Sequence, residues 1–393
     1  MKKVLIIGAS ILQLPAIKKA KEMGLKVAVA DYNPQAIGIP YADKFFNAST
    51  IDIEAICKVA EEYHPDGILT LATDMPMRSI AAATTKLGLP GITLDTAIKS
   101  TDKGEMIKAF KEHGVAAPWF YLIEDAKMLE TVKGEFTYPC IMKPTDNSGS
   151  RGVVLIKSEN ELAEAYSYSH EQSRGGAVLV EEYLQGHEVS VEVIVYKGKA
   201  HILQVTDKLT TGAPNFVEMG HSQPSMFVGA DLEAIHQLAT NAVVAVGIES
   251  GPAHVEIMVT KNGMKMIELG ARMGGDCITT HLVPLSTGID MIKATIDISL
   301  GNVPDLEPKK RCGSAIRYFD APCGTIKEIS GVEEAEKLNG IEEITFTKYI
   351  GDESTVVHNS LDRIGMVIAQ GYDAKDAVAK CEDAMNIIKI EVE

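Results

Sequence analysis

The sequence predicts an α/β protein built in three parts, and three features carry that reading. Residues 1–100 alternate short β-rich runs with helical stretches, which predicts a small parallel sheet flanked by helices. From about residue 101 the rhythm changes to a β-rich region with strong hairpin signals, an α+β pattern reaching about residue 310. From about residue 311 short strands precede one amphipathic helix near Ala374–Ile388, a second α+β pattern. At 393 residues the chain exceeds one compact core, so separate units are expected.

The elements follow in order. Val4–Ile7 reads as a strand, Gly8-Ala9-Ser10 as a turn, and Pro15 as the first turn of a helix that Gly24 stops near Met23. Val27–Ala30 is the next strand, closed by Asp31. A helix is expected near Lys103–His113, a strand ending at Lys143, a helix near Glu159–Ser169 and a strand over Ala177–Glu182. Glu188–Tyr196 alternates with period two and predicts a half-buried antiparallel strand, turned back by Gly198 into His201–Thr206. Ala253–Val259 and Met264–Leu269 flank Asn262-Gly263, a hairpin signal.

Composition narrows the function. Hydrophobic residues at 46% and charged residues at 23% are ordinary for a globular protein. A net charge of -16 repels phosphate backbones, which argues against nucleic acid as a partner but leaves room for a nucleotide held by local cations. Cysteines at 57, 140, 277, 312, 323 and 381 show no C-x-x-C spacing, so buried thiols in a reducing cytoplasm are expected, not a zinc site or a disulfide framework. No run approaches the ~20 apolar residues that span a bilayer, so no membrane partner is expected.

The Gly8 turn invites a dinucleotide reading, because a strand precedes it and Asp31 ends the second strand. The G-x-G-x-x-G fingerprint is incomplete, however: Ser10 and Gln13 occupy its second and third glycine positions. A structural turn, or one that helps bind an acidic substrate at a helix N-terminus, is the expectation.

A stronger constellation runs from Lys103 to Arg272. Lys143 emerges from the apolar run C-I-M-K-P, where a solvated lysine is hard to explain, although a snorkelling strand-end lysine is the plain alternative. The loop D-N-S-G-S-R-G follows, with glycines, serines and Arg151 suited to wrapping phosphate oxygens. Glu181-Glu182-Tyr183-Leu184 ends the next strand and Glu188 lies just beyond. These residues suit ribose and adenine, and equally an exposed acidic strand end. Glu256 and Glu268 sit in apolar alternation on the two hairpin arms, six and five residues from the turn, so they come together on one face. Buried carboxylates are costly unless paired or metal-bound, so the two suit a divalent cation, with a solvated sheet face as the plain alternative. Gly270-Ala271-Arg272-Met273-Gly274-Gly275-Asp276 then supplies an arginine on a glycine-rich turn, placed to stabilise charge on a transferring group.

In order and spacing these pieces resemble the ATP-grasp superfamily over nearly the whole chain. The likeness is greatest to the branch of L-amino-acid ligases and relatives of biotin carboxylase and the purine-pathway enzymes. It rests on C-I-M-K-P with D-N-S-G-S-R-G, V-E-E-Y-L-Q-G-H-E-V-S-V-E, H-V-E-I, I-E-L-G-A-R-M-G-G-D and the tail R-I-G-M-V-I-A-Q-G-Y-D-A-K-D-A. The resemblance implies an ATP-grasp fold: a Rossmann-like N-terminal domain (1–100), an ATP-binding domain (101–310) with a lid near 139–185, and a C-terminal α+β domain (311–393). It implies that Lys103 and Lys143 contact ATP phosphates under a flap containing Ser148, Gly149, Ser150, Arg151 and Gly152. Glu181, Glu182, Tyr183 and Leu184 form the adenine hinge, Glu188 holds ribose, Glu256 and Glu268 hold Mg²⁺ or Mn²⁺, and Arg272 stabilises an acyl phosphate. It further implies small-molecule carboxylate and amine substrates and a homodimer. One position departs from the pattern: many members carry Asn two residues after the second metal-binding Glu, where this chain has Gly270.

Glu218 and His221, in N-F-V-E-M-G-H-S-Q-P-S, resemble the segment near the acceptor site. His254 shares a strand face with Glu256, and Arg317 is a candidate for a substrate carboxylate. Each has a plain alternative, a structural histidine or a surface arginine. The expected activity is an ADP-forming carbon–nitrogen ligase. Its rivals are a purine-pathway ligase and a non-catalytic ATP-binding sensor, the latter expected to lack Arg272 or the carboxylate pair.

Overall fold

The computed structural model describes residues 1–393 except 148, 150 and 176. Near the N-terminus, β1 (Lys3–Ile7), β2 (Lys26–Asp31), β3 (Lys44–Asn47) and β4 (Gly67–Leu69) form a parallel sheet in the order β3-β2-β1-β4. Parallel neighbours need crossovers, which α1 (Leu14–Glu22) and α2 (Ile53–Tyr63) provide. α3 (Met77–Leu87) and α4 (Leu94–Lys99) complete this unit.

The Gly8 turn is held by its own side-chain hydrogen bonds. Gly8 has φ +95°, and a Cβ there would lie 2.8 Å from Gln13 Oε1. That oxygen accepts from Ser10 Oγ at 2.8 Å, while Gln13 Nε2 donates to the Leu71 carbonyl at 2.7 Å. Asp31 accepts from the Ala9 amide at 2.7 Å and the Asn33 amide at 2.8 Å. The carboxylate that would meet a ribose is thus engaged in tying the turn to the second strand.

α5 (Lys103–Glu112) is capped by Asp102, whose Oδ1 accepts from Gly104 N at 2.9 Å. It leads into a lid made of β5 (Phe120–Ile123), α6 (Ala126–Val132), β6 (Cys140–Pro144), β7 (Val154–Ile156), α7 (Leu162–Glu171) and β8 (Val178–Glu182). The strands pair antiparallel in the order β5-β8-β6-β7 around an apolar core that includes Ile123, Leu129, Met142, Ile156 and Val180. The lid sheet takes in β5 and so begins before residue 139.

The main sheet is built from β9 (Gly186–Tyr196), β10 (Lys199–Thr210), β11 (Glu218–Gln223), β12 (Gly251–Thr260) and β13 (Gly263–Gly270), with α8 (Gly229–Val246) packed on one face. α9 (Val283–Thr287) and α10 (Met291–Ser299) follow. The last segment contributes β14 (Gly313–Phe319), β15 (Gly324–Ser330), α11 (Val332–Ala335), β16 (Ile341–Phe346), β17 (Glu353–Ser354), β18 (Gly365–Gly371), α12 (Ala374–Ile387) and β19 (Lys389–Val392). β14, β18 and β16 extend the main sheet to eight strands, ordered β13-β12-β9-β10-β11-β14-β18-β16. The segment after residue 311 therefore shares that sheet while keeping its own core under α12.

Two details differ from the sequence expectation. β9 is not half-buried: Val189 through Val195 are all buried. Val189, Val191, Val193 and Val195 pack with α8, while Ser190 and Glu192 are covered on the cleft side by other parts of the chain. The hairpin loop is Lys261-Asn262, because Gly263 already pairs with Thr260. Gly263 takes φ +113°, a conformation open to glycine.

Replacing Asp31 with Ala would strand two amides of the N-terminal turn. The unfolding free energy is expected to fall by about 1–3 kcal/mol in urea denaturation. An unchanged midpoint would show that these bonds carry no weight.

Candidate active site

Alternation along the strands decides what faces the cleft. Glu188 on β9, Lys208 on β10, His221 on β11, His254 and Glu256 on β12 and Glu268 on β13 all line one cavity of about 710 Å³. Lys143, Glu181, Glu182, Tyr183 and Leu184 from the lid line it too, as do Gly149 and Arg151 of the flap, Lys103 at the start of α5, and Arg272. Ser148 and Ser150 lie outside the described residues. Gly152 is not part of the lining; a Cβ there would lie 2.9 Å from Pro144 and Gln172, so this glycine lets the flap pack on the lid.

The carboxylate pair meets as the sequence predicts: Glu256 and Glu268 are direct partners across β12 and β13. Ammonium groups compensate their charge. Lys103 Nζ lies 2.9 Å from Glu268 Oε2 and donates to the Asn147 carbonyl at 2.9 Å, which ties the flap to the cleft. Lys208 Nζ lies 3.1 Å from Glu256, 3.5 Å from Glu218 and in contact with Glu188. Burial opposes the charge on Lys208, but Glu188, Glu256 and Glu218 outweigh it and hold the ammonium well above its usual range. Burial likewise opposes ionisation of Glu256, and Lys208 and His254 overcome it, so this carboxyl stays far below its usual value. Glu188 moves the other way, raised mainly by burial with Lys208 resisting.

In the lid, Lys143 Nζ is 2.5 Å from Glu181 Oε1, and both side chains are buried. Glu181 Oε2 is buried with no partner among the described residues. Glu182 pairs with Lys265 at 2.5 Å.

His254 bridges two glutamates, donating from Nδ1 to Glu192 at 2.7 Å and from Nε2 to Glu256 at 3.1 Å. Burial works against its charge, but Glu192 and the hydrogen bonds to Glu192 and Glu256 raise it from 6.5 to about 9. The glycine turn explains itself here. A Cβ on Gly274 would lie 2.6 Å from His254 Nδ1 and 3.0 Å from Glu192 Oε2, so only glycine lets the turn cover this pair. Arg272, on the same turn, is held by Asp74 of the N-terminal unit, with Nε 2.9 Å from Oδ1 and Nη2 3.0 Å from Oδ2.

At the far end, His221 is 1% exposed and donates from Nε2 to Asp276 at 3.3 Å, leaving Nδ1 without a partner among the described residues. Arg363 grips the same Asp276 at 2.8 and 3.0 Å and stacks on Tyr318. Burial opposes ionisation of Asp276, and His221 and Arg363 hold its carboxyl far below the usual range. Arg317 is a correction. It pairs in register with Gly220 on β11, on the sheet face opposite His221, and donates to the Ile316 carbonyl at 3.0 Å. The arginine that reaches this end is Arg363, the first residue of R-I-G-M-V-I.

The residues fit a magnesium-bound nucleotide. Magnesium keeps waters and binds through one or two carboxylates plus substrate phosphates, and Glu256 with Glu268 supplies two hard oxygen donors beside three lysines. Sequence reading missed Lys208, Asp74, Glu192, Asp276 and Arg363. Glu192, Asp276 and Arg363 lay within the quoted motifs without a role assigned to them, Lys208 was a cation in the apolar run of β10, and Asp74 carried no signal.

The raised His254 value fixes the sign of a pH effect. Stabilisation by the charged imidazole is complete below its ordinary 6.5 and disappears as pH rises through about 9. The stability margin of the nucleotide-free protein over His254→Gln, measured in urea, should shrink across that interval. A margin constant with pH would rule out a charged His254.

A family model for the ATP-grasp domain matches residues 136–280, and one for the L-amino acid ligase C-terminal domain 2 matches residues 317–393. The L-arginine-specific L-amino acid ligase of Bacillus subtilis is 26% identical over 275 residues, 67% of this chain and 65% of its own. The chain spans only 63% and 65% of the first two curated relatives' lengths. Among solved structures, an L-amino acid ligase from Bacillus licheniformis superposes with TM-score 0.86 at 21% identity, covering 100% of this chain and 99% of that one. Phosphoribosylglycinamide synthetase from Anaerococcus prevotii superposes at 0.81 with 25% identity, covering 100% of both. Among the described residues no helix is long and apolar enough to cross a membrane. With the carboxylate pair and lysines assembled on one cleft and both domain models matched in order, the chain carries an ATP-grasp domain followed by an L-amino acid ligase C-terminal domain.

Proposed function

We propose that this protein is an ADP-forming ligase that joins a carboxylate to an amine through an acyl phosphate, using ATP and Mg²⁺. The observation that carries the reading is the in-register pair Glu256 and Glu268, set among Lys103, Lys143, Lys208 and Arg272 in one cleft. The hinge Glu181–Leu184 takes the adenine, Glu188 lies toward the ribose, and the flap around Gly149 and Arg151 closes over the phosphates. Glu256 and Glu268 hold the metal, which when bound neutralises phosphate charge. The lysines screen the triphosphate so that the substrate carboxylate can approach the γ-phosphorus. An oxygen–phosphorus bond forms and ADP leaves. Arg272 then supports the acyl phosphate while the amine attacks its carbonyl carbon, phosphate departs, and an amide results. Glu218, His221 and His254 line the part of the cleft where the second substrate sits.

A purine-type ligase acting on a phosphoribosyl amine is the second reading, favoured by the end-to-end likeness to phosphoribosylglycinamide synthetase. We place the protein in a reducing cytoplasm, where its six free cysteines belong, and expect a homodimer.

ADP release should depend on a carboxylate and an amine supplied together, and mass detection of the product separates amino-acid pairs from purine precursors. Glu256→Gln with Glu268→Gln should lower turnover by about 10²-fold or more. Nucleotide binding without turnover across the whole screen would sink the ligase reading in favour of a sensor.

A further inference from the structure

Gly270 stands two residues after Glu268, where many ATP-grasp members carry asparagine, and the structure supplies a reason for glycine. A Cβ built on Gly270 would lie 2.5 Å from Asp74 Oδ1 and 3.1 Å from Arg272 Nε. That carboxylate cannot swing aside without cost, because both its oxygens hold the Arg272 guanidinium, at 2.9 and 3.0 Å. The space that a side chain at position 270 would claim is already filled by an acid from the N-terminal unit.

The loop carrying Asp74 is fixed on both sides. Ala72 holds the left-handed conformation at φ +56°, costly for a residue with a side chain. The Asp74 carbonyl accepts from the Met77 amide at 3.1 Å and so anchors the loop to α3. From the lid, Arg174 donates to Met75 Sδ. Arg272 also donates from Nη1 to the Met273 carbonyl at 3.2 Å. An aspartate on the Nε/Nη2 edge fixes the plane of the guanidinium and leaves N–H groups on the Nη1/Nη2 edge for an oxyanion.

We infer that Asp74 is a positioning residue that holds Arg272 for the transfer step, and that glycine at 270 is the condition for its entry. The kinetic part rests on the ligase reading of Arg272; the steric part does not. The N-terminal unit thereby completes the cleft, a role that the nucleotide-binding segments alone would not reveal.

The test is a pair of mutant cycles read in kcat, in KM for ATP and in thermal midpoint. Asp74→Ala should lower kcat about 10–100-fold, the scale of a misplaced catalytic group, with KM for ATP within about threefold. Asp74→Ala combined with Arg272→Ala should be no slower than Arg272→Ala alone. Gly270→Asn should lower both kcat and midpoint in the wild type and cost clearly less in the Asp74→Ala background, where only the looser approach to Arg272 remains. Should Asp74→Ala fail to fold, Asp74→Asn keeps the volume, and with it the Gly270→Asn penalty, while losing the charge. Losses that multiply between positions 74 and 272, or an equal Gly270→Asn penalty in both backgrounds, would overturn the inference. If the wild type turns over no substrate pair, the ligase reading falls, and the midpoint cycle still decides whether Asp74 and a side chain at 270 compete for one space.

Discussion

Charge compensation inside the cleft is the constraint on which the rest of the structure depends. The floor concentrates Glu188, Glu192, Glu218, Glu256 and Glu268 among Lys103, Lys208, His254 and Arg272. Each of these charges would be expensive to bury alone, and partners on neighbouring strands offset that cost. The glutamates cannot lose their cations without repelling each other, nor the lysines their glutamates without desolvation loss. A ligand that brings both phosphate and metal can exchange with this balance, because it replaces cations and anions together.

The antiparallel sheet makes the balance possible. Register sets Glu256 opposite Glu268, His254 opposite Glu192 and Lys208 opposite His221, so groups far apart in sequence meet with little freedom of position. The other components close around that plane. The lid brings Lys143 and Glu181, α5 brings Lys103, the glycine turn covers His254 and the N-terminal loop brings Asp74 to Arg272. The C-terminal segment extends the sheet and sends Arg363 to Asp276.

Much of this was legible because local pattern and burial agree. The Asn262-Gly263 signal with a glutamate on each arm gave the carboxylate pair, and its one-residue offset changed the loop without changing which face the carboxylates share. C-I-M-K-P gave a buried lysine because lysine at the end of an apolar strand needs a partner. The period-two run of β9 gave the right strand but the wrong exposure: alternation reports that two faces differ, not that one is wet. A cleft covered by other parts of the chain buries a polar face just as a core buries an apolar one.

The sequence by itself determined the order of elements, the hairpin that pairs Glu256 with Glu268, and the resemblance to ATP-grasp enzymes. These depend on contacts over short separations or on motifs whose residues lie together. Only the tertiary structure decided that Asp74 holds Arg272, that Lys208 sits among three glutamates, that Arg363 and not Arg317 reaches Asp276, and why residue 270 is glycine. Those facts depend on which distant strands become neighbours and which face each presents. No local periodicity encodes that, since Arg317 sits within β14 while Arg363 reaches Asp276 from the loop before β18.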